Sequence, residues 1–290
     1  MSSDIQSGLL YPNNIGDYLS IDETSLSNGE LYTVVTNKSA KGKKGSLVAL
    51  LEGTKAEDII PKLKKISESN RRKVKEITLD MAGSMITICK TVFPKAKQVT
   101  DRFHVQKLAN EAVQELRIKY RWIALEQENK AIEEAKKNGQ RHQSALLSNG
   151  DTLKQLLARS RYLLFKHHSK WTLRQKERAE LLFNLYPDIQ KAYKLSNRLF
   201  SIYQNTTNTG IAFTKLDQWY NEIEASGFKS FNIVMKTIQQ HYESILNYFD
   251  NRSTNTSAES FNSKIKSFRA QFRGVRNIDF FLFRLEKLFS

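Results

Sequence analysis

Along the first third of the chain apolar and polar residues alternate, as they do in half-buried strands. Leu19 and Ile21, then Leu31, Thr33 and Val35, follow a period of two. Asn28-Gly29 between the two runs supplies the positive φ angles of a tight hairpin turn. A third strand, Ser46 to Leu51, follows Lys41-Gly42-Lys43-Lys44-Gly45, which lacks the spacing of a phosphate-binding loop and reads as a solvated turn. The period then changes. Ile59, Ile60, Leu63 and Ile66 share one face of a helix predicted over 56–69. Ile77-Thr78-Leu79-Asp80 forms a fourth strand, Gly83 to Val92 a helix stopped before Pro94, and Gln98-Val99-Thr100-Asp101 a fifth strand. Strand, helix, strand, helix, strand implies right-handed crossovers and a parallel portion of sheet, hence an α/β fold.

From 105 to 249 the apolar spacing is helical, with breaks at Gly139, Gly150, Pro187, Gly210 and Gly227. This stretch has the length of a small all-α domain, and Trp122, Trp171 and Trp219 are assigned to its core. A strong helix follows from Ala258 to Arg273, with Phe261, Ile265, Phe268 and Phe272 on one face, and then an aromatic helix from Asn277 to Phe289. The division expected is a polar arm over 1–17, a first α/β segment over 18–104, an all-α stretch over 105–249, and carboxyl-terminal helices over 250–290.

A chain of 290 residues, 40% apolar, can bury a full core. No apolar run approaches the ~18 residues needed to span a bilayer, the richest being Phe280-Phe281-Leu282-Phe283, and the first residues contain no signal-peptide core. Cys89 is alone, which excludes internal disulfides and cysteine-rich zinc sites and suits a reducing cytoplasm. The net charge of +16 is spread over the chain. Lys and Arg outnumber Asp and Glu by 16 to 12 over 1–104, 22 to 14 over 105–249 and 8 to 4 over 250–290. Such a surface suits a long polyanion, and equally serves as solubility charge.

Against that background three acids stand out. Asp22 and Asp80 end apolar strands, and functional groups in open α/β sheets gather beyond the carboxyl ends of strands. If those strands are neighbours, the two carboxylates repel unless a cation neutralises them, and Mg2+ prefers such hard oxygen ligands. Glu259, on the later helix, would complete sites for a pair of ions that activate the attacking oxygen and stabilise the leaving one. Each acid also has an ordinary reading. Asp at a strand end is a common turn residue, and Thr256-x-x-Glu259 is a capping box. Glu23 competes with Asp22, since only one of two adjacent strand residues can face the site. Off the apolar stripe of the later helix lie Asn262, Lys266, Arg269 and Arg273, and with Lys264 and Arg276 they make a row suited to a phosphate backbone, or an ordinary solvated face.

Local sequence sharpens this. Ile21-Asp22-Glu23-Thr24-Ser25, Asp80-Met81, Phe93-Pro94-x-Ala96, Val99-x-Asp101-Arg102-Phe103-His104-Val105 and Asn255-x-x-x-Glu259-Ser260-x-Asn262-x-x-Ile265-Lys266, continued by Arg269 and Gly274, resemble the DDE transposases of bacterial insertion sequences. The closest resemblance is to the ISL-three-like group, with mutator-like and hAT-like elements more distant. Tyr162-Leu163-Leu164 and Leu216-x-x-Trp219 in the helical stretch add to it. The resemblance runs from about residue 18 to the end.

It implies a ribonuclease-H-like mixed sheet with a large all-α insertion, a catalytic and metal-holding triad of Asp22, Asp80 and Glu259, and an accessory pair, Asp101 and His104. Asp101 also follows a strand and so competes with Asp80. His104 is open to roles as general base, metal ligand, phosphate contact or structural residue. The implied cofactor is Mg2+ or Mn2+, as two ions. The implied reaction is hydrolysis at the element's end to free a 3′-hydroxyl, which then attacks target DNA. DNA, both element ends and target, is the implied partner, with a homodimer or larger assembly and a cytoplasmic, nucleoid-associated setting. Relatives carry an amino-terminal DNA-binding region, whereas this chain begins almost at its first strand, so that region is expected on a separate polypeptide or to have been lost. The alternatives are a DNA-binding remnant without catalysis and a structure-selective nuclease on the same fold.

Overall fold

The structure, a computed structural model, describes residues 8–25, 31–271 and 278–289, apart from the side chains of 257, 278, 279 and 286–289. The Asn28-Gly29 turn, Phe272, Arg273, Gly274, Arg276 and Asn277 lie outside the described residues. The chain divides into two compact units, residues 1–104 with 241–290, and residues 105–240.

The first unit is built on a six-stranded sheet of β1 (Gly8–Leu10), β2 (Tyr18–Ser25), β3 (Leu31–Asn37), β4 (Leu47–Glu52), β5 (Glu76–Leu79) and β6 (Lys97–Thr100). Their order across the sheet is β1-β4-β3-β2-β5-β6. The pairs from β1 to β2 are antiparallel, whereas β2–β5 and β5–β6 are parallel. Three antiparallel strands followed by two parallel ones make the ribonuclease-H-like mixed sheet that the sequence motifs imply. β1 is an addition at the edge. Its three residues, read from sequence as part of a loose arm, are too few to show a period, yet they pair with β4 from Gly8 beside Leu51 to Leu10 beside Ala49.

One sheet face is covered by α1 (Ala56–Leu63) and α3 (Gly83–Val92), with α2 (Glu68–Lys73) between them in sequence. Leu19, Ile21, Ile77 and Leu79 pack there against Ile59, Leu63, Met85 and Ile88. The single helix expected over 56–69 is two. The first ends at Leu63, and Ser67 starts the second, its hydroxyl accepting the Asn70 amide at 3.4 Å, a local cap that an apolar-period reading does not detect.

The second unit contains α4 (Arg102–Lys137, which begins in the first unit), α5 (Leu153–Arg159), α6 (Arg161–Leu164), α7 (Leu173–Leu185), α8 (Pro187–Asn205), α9 (Thr209–Ser226) and α10 (Lys229–Gln240). Thr152 with Gln155, and Thr172 with Gln175, close reciprocal capping boxes at the starts of α5 and α7. Gly227, at φ 70°, lets the chain leave α9 through the left-handed region. Trp219 is fully buried and donates Nε1–H to the Leu195 carbonyl at 2.9 Å. Trp171 is half-buried, donates to the Leu163 carbonyl and stacks on Tyr193. Trp122 does not belong to the core as expected: it is 67% exposed. The inward stripe of α4 runs through Val105, Ala109, Ala112, Val113, Arg117 and Ala124, and Trp122 falls beside it.

The chain then returns to the sheet. α11 (Tyr242–Leu246) and α12 (Tyr248–Asn251), within the stretch read as helical insertion, belong to the first unit. Asn247 Nδ2 donates to the Gln98 carbonyl at 2.8 Å, and the Ser244 and Thr100 hydroxyls meet at 2.7 Å. α13 (Thr256–Gln271) and α14 (Ile278–Phe289) cover the second sheet face. Phe261, Ile265, Phe281 and Leu285 bury themselves against Tyr32, Val34, Leu47 and Leu50, so the apolar spacing of α13 faces the sheet as its sequence predicts.

Replacing Phe261 with Ala removes a fully buried ring from that contact and is expected to cost about 3–5 kcal/mol. Trp122→Ala, at an exposed position, is expected to stay within about 0.5 kcal/mol of the parent. Urea denaturation of the two variants checks both values, and similar losses in the two would contradict this division between core and surface.

Candidate active site

The parallel register sets the site. Ser20 of β2 stands beside Thr78 of β5, so two residues further Asp22 and Asp80 come side by side. Leu79 of β5 stands beside Thr100 of β6, which brings Asp101 next to Asp80. Side chains alternate across a strand. With Leu19, Ile21, Ile77 and Leu79 in the core below, Asp22 and Asp80 share the opposite face, the one covered by α13. The alternation assigns Glu23 to the face of Ile21, away from this row.

Asp22 is the most perturbed of the acids. Burial raises its carboxyl from 3.8 to about 6. A hydrogen bond from the Glu23 amide at 2.9 Å and the charge of His104 oppose the rise, while the charges of Asp80 and Glu259 add to it. Asn262 of α13 donates Nδ2–H to Asp22 Oδ2 at 2.8 Å. Expected among DNA-facing residues, Asn262 is instead buried and committed to this carboxylate. Asp80 Oδ1 accepts the Ala82 amide at 2.9 Å, a turn that brings the chain from β5 into α3.

Asp101 is fully buried. It leads into α4, its Oδ1 accepting the Phe103 amide at 3.5 Å, and its Oδ2 lies 3.5 Å from His104 Nδ1. That contact is an ion pair when the imidazole is protonated, and neither atom has a hydrogen-bond partner among the described residues. The imidazole is held above its usual pKa, first by Asp101; burial opposes this, and Asp80 and Asp22 reinforce it. Glu259 projects from the first turn of α13, whose first helical bond runs from the Glu259 amide to the Asn255 carbonyl at 2.8 Å. Thr256 lies inside the helix and bonds Thr254, so the capping box read from sequence is not formed. Partial burial and the charge of Asp101 raise the Glu259 carboxyl, and His104 opposes them.

Below the acids lies a polar layer without a sequence signal. Lys38 Nζ reaches Thr78 Oγ1 and stands 3.6 Å from Glu76 Oε1. Asn251 donates to the second Glu76 oxygen at 3.1 Å. Burial holds the Lys38 ammonium below its usual pKa, against the pull of Glu76 and Asp101. Asn255, at the start of α13, is buried with neither side-chain polar atom partnered. The basic row is divided. Lys264 Nζ bonds the Gly42 carbonyl at 3.1 Å, Lys266 is exposed, and the Arg269 guanidinium lies 5.2 Å from the Phe281 ring centroid. Arg273 and Arg276 are outside the described residues.

None of Asp22, Asp80 and Glu259 forms an ion pair with Lys or Arg among the described residues. Hard oxygen donors left unpaired in so basic a protein fit a divalent cation. As placed, no three His, Cys, Asp or Glu side chains among the described residues stand close enough to hold one ion together. Mg2+ is ordinarily held by one or two carboxylates plus water and substrate phosphate, so a pair of these acids suffices.

A family model described as transposase, of the ISL-three type within the DDE group, matches residues 19–285. The chain belongs to this transposase family. The matched span contains Asp22, Asp80, Asp101, His104 and Glu259. No curated protein matches the chain. Among solved structures, the Drosophila P element transposase strand transfer complex is similar over 98% of this chain and 79% of that one, at 13% identity and a TM-score of 0.34. As a transposase the chain acts on DNA. Among the described residues no helix is long and apolar enough to cross a membrane.

The raised Asp22 carboxyl has a measurable sign. Folded Asp22 binds its proton up to about 6 and the unfolded chain only to about 3.8, so the ionised residue weakens the metal-free protein as pH rises through that window. Asp22→Asn is therefore expected to stabilise the metal-free transposase at pH 7 by about 2–3 kcal/mol. The advantage should vanish below pH ~4. Urea denaturation at several pH values in chelator reads the difference, and equal stability at pH 7 would refute it.

Proposed function

We propose that this transposase cleaves DNA at the ends of an insertion sequence and joins the freed 3′-hydroxyl to target DNA, with Asp22, Asp80 and Glu259 as its catalytic acids. The observation that carries the reading is the register of β2 against β5, which stands Asp22, inside β2 rather than at its end, beside Asp80, just past the end of β5, with no Lys or Arg ion-paired to either among the described residues. Glu259 joins them electrostatically, since its charge raises Asp22.

In this reading Asp22, Asp80 and Glu259 would hold Mg2+ or Mn2+, as two ions, and such ions would supply acidification of the attacking oxygen and charge stabilisation of the departing one. The chain's own residues prepare that arrangement. Asn262 orients Asp22 through its amide. The turn to Ala82 fixes one oxygen of Asp80 and leaves the other free. Asp101 is an accessory rather than the second catalytic acid, because it is buried and engaged with α4 and His104. His104, favoured in its cationic form, offsets part of the repulsion among the carboxylates. Lys266 on the exposed side of α13 is the described basic residue best placed to meet a phosphate backbone. Two element ends must be brought together for joining, so the acting species is a dimer or larger assembly on DNA.

The decisive assay offers pre-cleaved element ends and a plasmid with Mg2+ or Mn2+ and looks for joined products. Asp80→Ala is expected to abolish nicking and joining, a loss of at least ~1,000-fold, while DNA binding persists. Undiminished activity in that variant would remove the assignment. Nicking without joining by the parent would favour a nuclease on the same fold.

A further inference from the structure

In the helical unit Arg117 is a charge without a countercharge. It lies in the middle of α4 and is only 4% exposed. Nε donates to Gln114 Oε1 at 2.6 Å and Nη1 to the Leu157 carbonyl at 2.9 Å. Both acceptors are neutral. Charged side chains are rarely buried so far unless paired, and the same unit obeys that rule elsewhere, with Asp151 buried between Arg159 and Arg178. Among the described residues no carboxylate lies within ion-pair distance of Arg117, Arg121 or Arg161.

The neighbours add positive charge. Arg121 stands one turn along the same face of α4. Gln114 Nε2 donates to the Arg161 carbonyl at 3.2 Å, fastening the start of α6 to this part of α4. Burial, then Arg121 and Arg161, hold the Arg117 guanidinium below its usual pKa. Arg121 and Arg161 are exposed. The Arg161 guanidinium lies 5.6 Å from the ring centroid of Tyr162, and that residue is 68% exposed.

Three arginines drawn together without an acid favour an anion. Guanidinium forks match phosphate oxygens in pairs, which points to phosphate before carboxylate. An exposed aromatic ring beside them offers a platform for a base, which an acidic protein segment would leave unused. We propose that Arg121, Arg161 and Tyr162, seated on buried Arg117, form a DNA-contacting patch of the helical unit, Arg121 and Arg161 taking backbone phosphate and Tyr162 stacking on an unpaired base. The inference rests on the reading of the chain as a DNA-acting transposase. Arg117 braces the patch from below, and Arg121, Arg161 and Tyr162 reach the ligand.

The test uses the full chain and fluorescence anisotropy with labelled single-stranded and duplex oligonucleotides over a salt series. The variants are Arg121→Gln/Arg161→Gln and Tyr162→Ala, with the parent as reference. The double variant is expected to bind about tenfold more weakly and to lower the salt slope by about 1–2, as loss of two phosphate contacts requires. Tyr162→Ala should weaken the single strand about fivefold or more and spare the duplex. Substituting only exposed side chains leaves Arg117 and its hydrogen bonds in place, and unchanged thermal unfolding of each variant confirms the fold. Parent-like affinity and slope in the double variant, with the parent binding, would overturn the patch and leave the proposed reaction standing. A parent that binds neither oligonucleotide would overturn both. Displacement of the oligonucleotide by polyglutamate as readily as by unlabelled DNA would assign the patch to an acidic protein instead.

Discussion

Like charges do not gather unaided, and the site of this transposase depends on apolar packing that forces them to. The core beneath β2 and β5 fixes the parallel register of those strands, and the register stands Asp22 beside Asp80. On the opposite face Phe261 and Ile265 press α13 against β3 and β4. The same helix delivers Glu259 and, one turn further, the Asn262 amide that meets Asp22. Each kcal/mol of repulsion is therefore borne by buried leucine, isoleucine and phenylalanine rather than by the polar groups themselves. A strained, charged centre seated on a stable core is a common arrangement where function and stability pull apart.

Much of this was legible in the chain because it rests on period. Alternation located β2 to β6 apart from a few end residues, and the spacing of Phe261 and Ile265 located the inward face of α13. What stayed hidden was non-periodic. β1 is three residues long and is specified by its partner. The break between α1 and α2 turns on the Ser67 hydroxyl. A tryptophan in a helical stretch suits a core, whereas the phase of Trp122 on α4 places it outside. Size is a poor guide when only one side of a long helix is covered.

The acids are singled out by a different route. Asp80 follows a strand end as the sequence predicts, whereas Asp22 lies inside β2, which continues to Ser25 through its pairing with β3. Strand neighbours cannot be read from one sequence, and Glu259 has a local explanation as a helix cap, so their grouping as one site in the sequence rests on the order of the motifs. Asn262 shows the limit: its type suits DNA contact, and only the docking of α13 reveals that its amide serves Asp22. The polar layer of Lys38, Glu76, Thr78 and Asn251 had no signal, because its members are distant in the chain and unremarkable singly.

The bond between Asn262 and Asp22 joins residues 240 positions apart. During synthesis the strands emerge first, followed by a whole helical unit, and only then the helix that carries Glu259. Under the proposed function, cleavage therefore awaits the synthesis of that helix, and the order of the chain itself times the activity.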